Sequence, residues 1–254
     1  MGLFSNNHVQ NINIGANVRW YGNTMDNAFL NCRNFNSPIT IPDGITSLAN
    51  TFRNCANFDQ SVSIPNTVTN MVNTFGGCAK FNQPVIIPNS VTSLSSTFSG
   101  CTNFNKPVTI PNSVTQMLST FISCSNFNQT VNIPNSVTTL YSAFANTAIT
   151  TITIPKGVTN LSTALSLCNN LTDLFILEDN VNNMYSMLAG RNNKTRLNIY
   201  VNNRSTTYYM IKNCNITQNM QNRVFGSNNA NWTSSGVWQF NAAHNVYLYY
   251  RNYV

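Results

Sequence analysis

Charge is what this sequence has least of. Only 7% of its 254 residues are Asp, Glu, Lys or Arg, against roughly a quarter in ordinary globular chains. Six acids leave little from which to build a catalytic carboxylate pair. Neither His8 nor His244 has an acid beside it in sequence to suggest a nucleophile–histidine–acid triad. No Gly-rich phosphate-binding loop occurs. The seven cysteines include no C-x-x-C pair and the two histidines stand at opposite ends, so closely spaced zinc ligands are missing. There is no run of about 18 apolar residues, hence no expected helical membrane span. The opening stretch, MGLFSNNHVQNINIG, lacks the basic and apolar regions of a Sec signal. Asn6 stands where a myristoylation pattern needs Ser or Thr. Export would then require a leader already removed, or another route such as carriage in or on a virus particle.

What is present is polarity without charge. Asn, Ser and Thr abound beside a 42% hydrophobic content, and that balance is the opposite of a disordered chain's. The net charge of +7 is unevenly placed. All the acids (Asp26, Asp43, Asp59, Asp173, Glu178, Asp179) lie before residue 180, where Arg19, Arg33, Arg53, Lys80, Lys106 and Lys156 match them. Beyond it only bases occur: Arg191, Lys194, Arg196, Arg204, Lys212, Arg223 and Arg251. Such asymmetry can mark a surface for an acidic partner.

The dominant feature is a repeat. Cys32, Cys55, Cys78, Cys101 and Cys124 recur at one fixed interval, each followed after three residues by Phe35, Phe58, Phe81, Phe104 or Phe127. Each is preceded after the same gap by Phe29, Phe52, Phe75, Phe98 or Phe121. Ile41-Pro42, Ile64-Pro65, Ile87-Pro88, Ile110-Pro111 and Ile133-Pro134 keep the same phase. A fixed period in this range means a solenoid that grows by stacking. In each cycle a V-x-I alternation, such as Val85-Ile-Ile87, reads as a very short strand with two inward side chains. Pro stops it, having no N–H for a ladder, and Asn-Ser or Asp-Gly makes the turn. The next apolar residues lead to Phe at a helical spacing, which predicts a short helical or irregular return. The later cycles are edited: Thr147 replaces the cysteine, Ile152-Thr-Ile154 and Leu174-Phe-Ile176 are the strands, and Leu197-Asn-Ile199 is the last one expected. Residues 9–29 read as a degenerate first turn, with Ile12-Asn-Ile14 as its strand.

Two readings of the cysteine ladder stand: a disulfide framework, or a column of buried thiols packed between phenylalanines. The second is preferred, because a free Cys behaves as a small, deeply buried hydrophobe.

The pattern C-x-x-F-x-x-x-V-x-I-P-x-x-V-x-x-L-x-x-x-F resembles the BspA-type leucine-rich repeat, and the FNQP element looks like a related repeat of bacterial and mycoplasma surface proteins. The resemblance covers about residues 9–190. This sequence carries one extra residue between Phe and Val, which puts the backbone near Asn82–Pro84 in question. The resemblance implies an α/β fold: a right-handed leucine-rich-repeat solenoid with short parallel strands, short helical or irregular returns, and a small C-terminal α+β cap. The expected division is 1–31 as N-terminal cap and degenerate first repeat, 32–190 as the solenoid, and 191–254 as a basic, aromatic-rich capping or docking module. Within the last, Ser205–Gln221 is a candidate helix, and Val237–Phe240 with Asn245–Tyr250 a candidate hairpin.

The resemblance also implies surface adhesion or phage-borne recognition and no catalytic residues. The candidate binding surface is the outward stripe of the V-x-I segments: Thr40, Ser63, Ile86, Thr109, Asn132, Thr153 and Phe175. Its plainer reading is a solvated β face that favours Thr. Candidate docking residues are Arg196, Arg204, Tyr208, Trp232, Trp238 and Tyr249, since Tyr, Trp and Arg dominate contact hot spots; core aromatics of a small cap are the plainer reading. Asp43 and Asp59 read as turn residues. Asp173, Glu178 and Asp179 form the one carboxylate cluster, read as polar termini around Leu174–Ile176. No cofactor or metal is assigned, and no nucleic-acid signature occurs. The expectation is a non-enzymatic component of a bacteriophage virion, at its surface, binding a protein or glycan of a host cell or the capsid or tail proteins of the particle. The alternative is a BspA-type adhesin on a bacterial cell surface. Homo-oligomers are open.

Overall fold

Each cycle of the repeat folds into one coil, and equivalent residues of successive coils lie side by side. In a computed structural model residues 4–6, 22–177, 181, 183–191, 197–201, 237–240 and 246–250 are described. Thr24, Ser47, Asn70, Ser93, Gln116, Thr139, Asn160 and Asn183 form a column of parallel bridges, one residue per coil. Ile-Pro turns the chain as expected: the N–H groups of Val68, Val91, Val114 and Val137 donate to the carbonyls of Pro65, Pro88, Pro111 and Pro134 at 3.0–3.1 Å.

The core is a double file of aromatic rings. Phe75 and Phe81 of one coil stack at 4.4 Å between centroids, and Phe75 meets Phe98 of the next coil at 5.8 Å. The pattern runs from Phe29 to Phe144, every ring fully buried. Each contributes about 1.5–3 kcal/mol by leaving water, and each depends on its neighbours above and below, as a stack requires. Cys55, Cys78, Cys101 and Cys124 lie buried with them as free thiols, which agrees with the buried-thiol reading. Cys214 lies outside the described residues.

The returns are not helical. Among the described residues there is no helix. Each return instead holds two residues in the left-handed region, four apart: Asn27 and Asn31, Asn50 and Asn54, Asn73 and Gly77, Ser96 and Gly100, Ser119 and Ser123. A left-handed residue cannot continue a right-handed helix, so the chain makes tandem turns. In the second coil the N–H groups of Thr51, Arg53 and Cys55 bond Leu48 O, Asn50 O and Phe52 O, while those of Asn50, Phe52 and Asn54, alternating with them, donate to Val72, Thr74 and Gly76 of the next coil. Alternate amides thus serve the turn and the stack. The four-residue step to Phe mimics a helix in sequence only. It also explains the wealth of Asn, the side chain that best tolerates this conformation apart from Gly.

The strand expectation needs a second correction. The V-x-I segments from Ile39 to Ile133 form no strand; strands begin at β1 (Thr151–Ile154), followed by β2 (Asp173–Ile176) and β3 (Leu197–Val201). These three pair in parallel, Ile152 with Leu174 and Leu174 with Ile199. The difference tracks the extra residue. The earlier coils carry it between Phe and Val, and Thr147–Ile152 and Cys168–Leu174 do not. Where it is present, side chains replace the main-chain ladder. Asn36 Oδ1 accepts from Asp59 N–H at 2.8 Å, Asp59 Oδ1 from Asn82 N–H at 2.8 Å, Asn82 Oδ1 from Asn105 N–H at 2.9 Å, and Asn105 Oδ1 from Asn128 N–H at 3.0 Å. Asp59 is therefore a rung of this file rather than a plain turn residue.

At the near end, the aromatic file starts earlier than read. Phe4 stacks on Phe29 at 5.4 Å, its N–H donates to Ala28 O, and its carbonyl accepts from the Cys32 thiol at 2.8 Å. These are the contacts that Phe29 makes one coil on. Ile12–Ile14 lies outside the described residues. At the far end β4 (Val237–Phe240) and β5 (Val246–Tyr250) pair antiparallel, as the candidate hairpin requires, and β5 also adds to β3 in parallel, giving the order β1-β2-β3-β5-β4. Ser205–Gln221 lies outside the described residues. Among the described residues no helix is long and apolar enough to cross a membrane.

Candidate recognition face

The inward residues of each V-x-I segment, such as Val85 and Ile87, are buried, and the residue between them faces water. Thr40, Ser63, Ile86, Thr109, Asn132 and Thr153 are all exposed. They stack in file because their flanking residues are fixed in the core. Ile86 stands out: it is 85% exposed, the most exposed of the large hydrophobic residues described. Exposed Pro84 precedes it in the same coil and exposed Pro107 occupies the corresponding place in the next, so a small apolar patch sits in mid-stripe.

One edge of this face is the amide file. Gln83 Nε2 donates to Asp59 Oδ1 at 2.9 Å and Gln129 Nε2 to Asn105 Oδ1 at 2.9 Å. These bonds tie the N-Q pair of the repeat to the coil before, holding the chain just ahead of each V-x-I segment.

Phe175 differs from the rest of its stripe. It is half-buried and stacks on Tyr200 at 4.4 Å, with the ring planes 7° apart. Beside it, the Asp173 carboxylate accepts from Thr172 Oγ1 (2.8 Å), Asn198 Nδ2 (2.9 Å) and Tyr200 Oη (3.3 Å). Three donors make it an acceptor that joins β2 to β3. Glu178 and Asp179, its companions in sequence, lie outside the described residues.

Of the candidate docking residues, Arg196, Arg204, Tyr208 and Trp232 lie outside the described residues. Trp238 falls on β4 opposite Leu248, and Tyr249 on β5 opposite both Tyr200 and Val237. Main-chain register puts both on the sheet that β1–β3 begin.

Among the described residues the thiols are buried hydrogen-bond donors. Each donates to the carbonyl of the Phe one coil back, Cys55 to Phe29 at 3.0 Å, Cys101 to Phe75 at 3.0 Å, Cys124 to Phe98 at 2.9 Å. Burial pushes the Cys78 and Cys101 thiols well up, with neighbouring cysteines adding to the effect, and the Cys124 thiol up to about 12. A nucleophilic cysteine needs the opposite shift.

Residues 23–132, 46–154 and 88–222 match the family described as Mycoplasma protein of unknown function, DUF285. The chain belongs to this family. The first two matched frames start one coil apart, so the family's pattern shares the period of the coil. No protein of curated function matches the sequence. Among solved structures, the chain is similar to a leucine-rich repeat protein from Bacteroides ovatus, at 19% identity over 70% of this chain and 58% of that one, with a TM-score of 0.37. It is also similar to a leucine rich cell surface protein from Faecalibacterium prausnitzii, at 20% identity over 72% of this chain and 64% of that one, with a TM-score of 0.43. The chain spans less than two thirds of the length of either.

Proposed function

We propose that this chain is a non-enzymatic recognition protein displayed on a surface, of a cell or of a virion, which binds its partner through the stripe from Thr40 to Thr153. The observation that carries the reading is Ile86, 85% exposed among hydroxyl and amide side chains. An uncharged stripe with one apolar patch is the anatomy of a contact whose anchor leaves water on binding while its surroundings hydrogen-bond. The partner is a protein or a glycan of a host or neighbouring surface, or a capsid or tail protein. Residues 191–254 cap the solenoid or dock it, a reading supported by β5 continuing the sheet beyond β3. Arg196, Arg204, Tyr208, Trp232, Trp238 and Tyr249 are the residues proposed to make that docking contact.

The test is saturable binding of the fluorescent full-length chain to bacterial and host cells and to purified phage particles, beside an Ile86→Glu variant. Binding to one of these surfaces, lost in the variant without a change in melting temperature, supports the reading. Binding that survives Ile86→Glu unchanged, or none to any surface, overturns it. Which surface binds separates the cell-surface placement from the virion.

A further inference from the structure

The return side of the coils carries a second, differently built surface. Immediately after the buried Leu or Met of each return comes an outward residue: Ala49, Val72, Ser95 and Leu118 in the earlier coils, all half-buried. In the next three coils this position holds Tyr141, Ser162 and Tyr185. The two tyrosines are 43% and 64% exposed, and they account for two of the four large hydrophobic residues described as exposed. Ser162 between them is only 5% exposed, although Ser95 at the same position is half-exposed. The two tyrosines thus stand exposed on either side of a buried serine, in one column and two coils apart. Coils that stack at the spacing of parallel strands place the two tyrosines about 10 Å apart along the axis.

The surroundings narrow the ligand. Returns 94–100, 117–123, 140–146, 161–167 and 184–190 contain no charged residue. Within these five returns a nucleic acid, an acidic lipid surface or an acidic polysaccharide would find no cation to pair with. Polar groups that are not charged are at hand: Asn146, exposed and in the left-handed conformation, and exposed Asn183. Leu167, also left-handed and 45% exposed, adds an apolar step beside them. Exposed aromatic faces repeated along a straight axis, with amides at their rim, suit a ligand that is itself a straight repeat of rings with apolar faces and hydroxyl edges.

We infer that Tyr141 and Tyr185 form a platform for a neutral, extended glycan lying along the solenoid axis, whose sugar rings stack on the two tyrosines while its hydroxyls bond Asn146 and Asn183. This site is independent of the Ile86 stripe, which belongs to the other side of each coil.

The experiment is electrophoresis of the full chain through native gels containing hydroxyethylcellulose, glycogen or polygalacturonate, with affinities from soluble cellohexaose and maltohexaose by calorimetry. Retardation by at least one neutral polymer and not by polygalacturonate is expected. Tyr141→Ala and Tyr185→Ala each weaken it about tenfold, Tyr185→Phe preserves it because the ring face remains, and Ile86→Glu leaves it intact. Both tyrosines are exposed, so circular dichroism and melting of the variants are expected to match the parent. Absence of retardation by both neutral polymers overturns the inference. So does equal retardation by polygalacturonate, or an affinity that Tyr185→Ala leaves unchanged. Loss of cell or particle binding in Ile86→Glu with glycan binding retained keeps the two sites apart.

Discussion

The Cys78 thiol donates to the carbonyl of Phe52, one coil back, at 2.9 Å. That carbonyl already accepts the Cys55 amide within its own coil. The sulfur therefore adds an inter-coil tie to an acceptor already used once, and it fills the space between phenylalanine rings. Replacing it with Ala removes the tie and leaves a small void. Cys78→Ala is expected to destabilise the chain by about 1–2 kcal/mol, read as a lower urea midpoint with an unchanged slope. Thr at this place costs less, because it fills the void, as Thr147 does in the equivalent slot with its hydroxyl on Phe144 O of its own coil at 2.7 Å; the inter-coil tie is not restored.

The thiols also set a pH dependence. Folded, they are held protonated by burial, Cys124 up to about 12 and Cys78 and Cys101 well up. Unfolded, they ionise near 8.5. Above that value the unfolded chain has lost protons that the folded chain keeps, so stability falls as pH rises. It is complete below about pH 8 and declines from there towards pH 12. Urea unfolding at pH 7 and pH 10 checks the sign; a stability that rises over this interval contradicts the assignment. Cys124→Ala should make the decline shallower. In the same range the native chain is expected to leave Ellman's reagent unreacted at these thiols until denaturant is added.

The amide file should behave as a main-chain ladder would. Asn82→Ala leaves the half-buried Asn105 N–H without the acceptor it has at 2.9 Å. A loss of about 1–2 kcal/mol is expected. Amide exchange at Asn105 is the specific readout: it should accelerate more than that of Phe104, whose N–H bonds Cys101 within its own coil.

Left-handed positions give a contrast of opposite signs. Ser119 has φ of 52°, where Gly carries no steric cost. Ser119→Gly is expected to be neutral or stabilising by up to about 1 kcal/mol, and Ser119→Val destabilising by more than that. Gly77, at φ of 76°, is closed to side chains for a second reason, since a Cβ there would run into Asn54 Oδ1. Gly77→Ala should cost about 1–3 kcal/mol in thermal unfolding.

The solenoid was legible because its core residues recur in phase. Phe52, Cys55, Phe58, Val62 and Ile64 announce one coil, and their equivalents announce the next. Two things were not legible from apolar spacing. Leu48 and Phe52 are four apart whether the chain between is helical or doubly turned; the deciding residues are Asn50 and Asn54, polar and so silent in that pattern. Likewise Val62-Ser-Ile64 alternates as a strand does, but its main-chain pairing depends on one surplus residue upstream. Phe4 escaped notice because residues 7–21 interrupt the period, although Phe4-Ser-Asn6 parallels Phe29-Leu-Asn31. Ile86 faces water where the V-x-I alternation puts the middle residue. Tyr141 and Tyr185 carry no comparable signal, being single rings outside the phased core positions.

Between the regular coils each kind of tie recurs from coil to coil, as when Asn54 Nδ2 donates to Asn31 Oδ1 23 residues before it. A segment of that length can therefore be cut out or copied in and the new ends meet partners of the same kind. The gene for such a chain can gain or lose whole coils by unequal recombination between its own repeats. Reach then becomes an inherited variable that drifts quickly, while each joint stays the same.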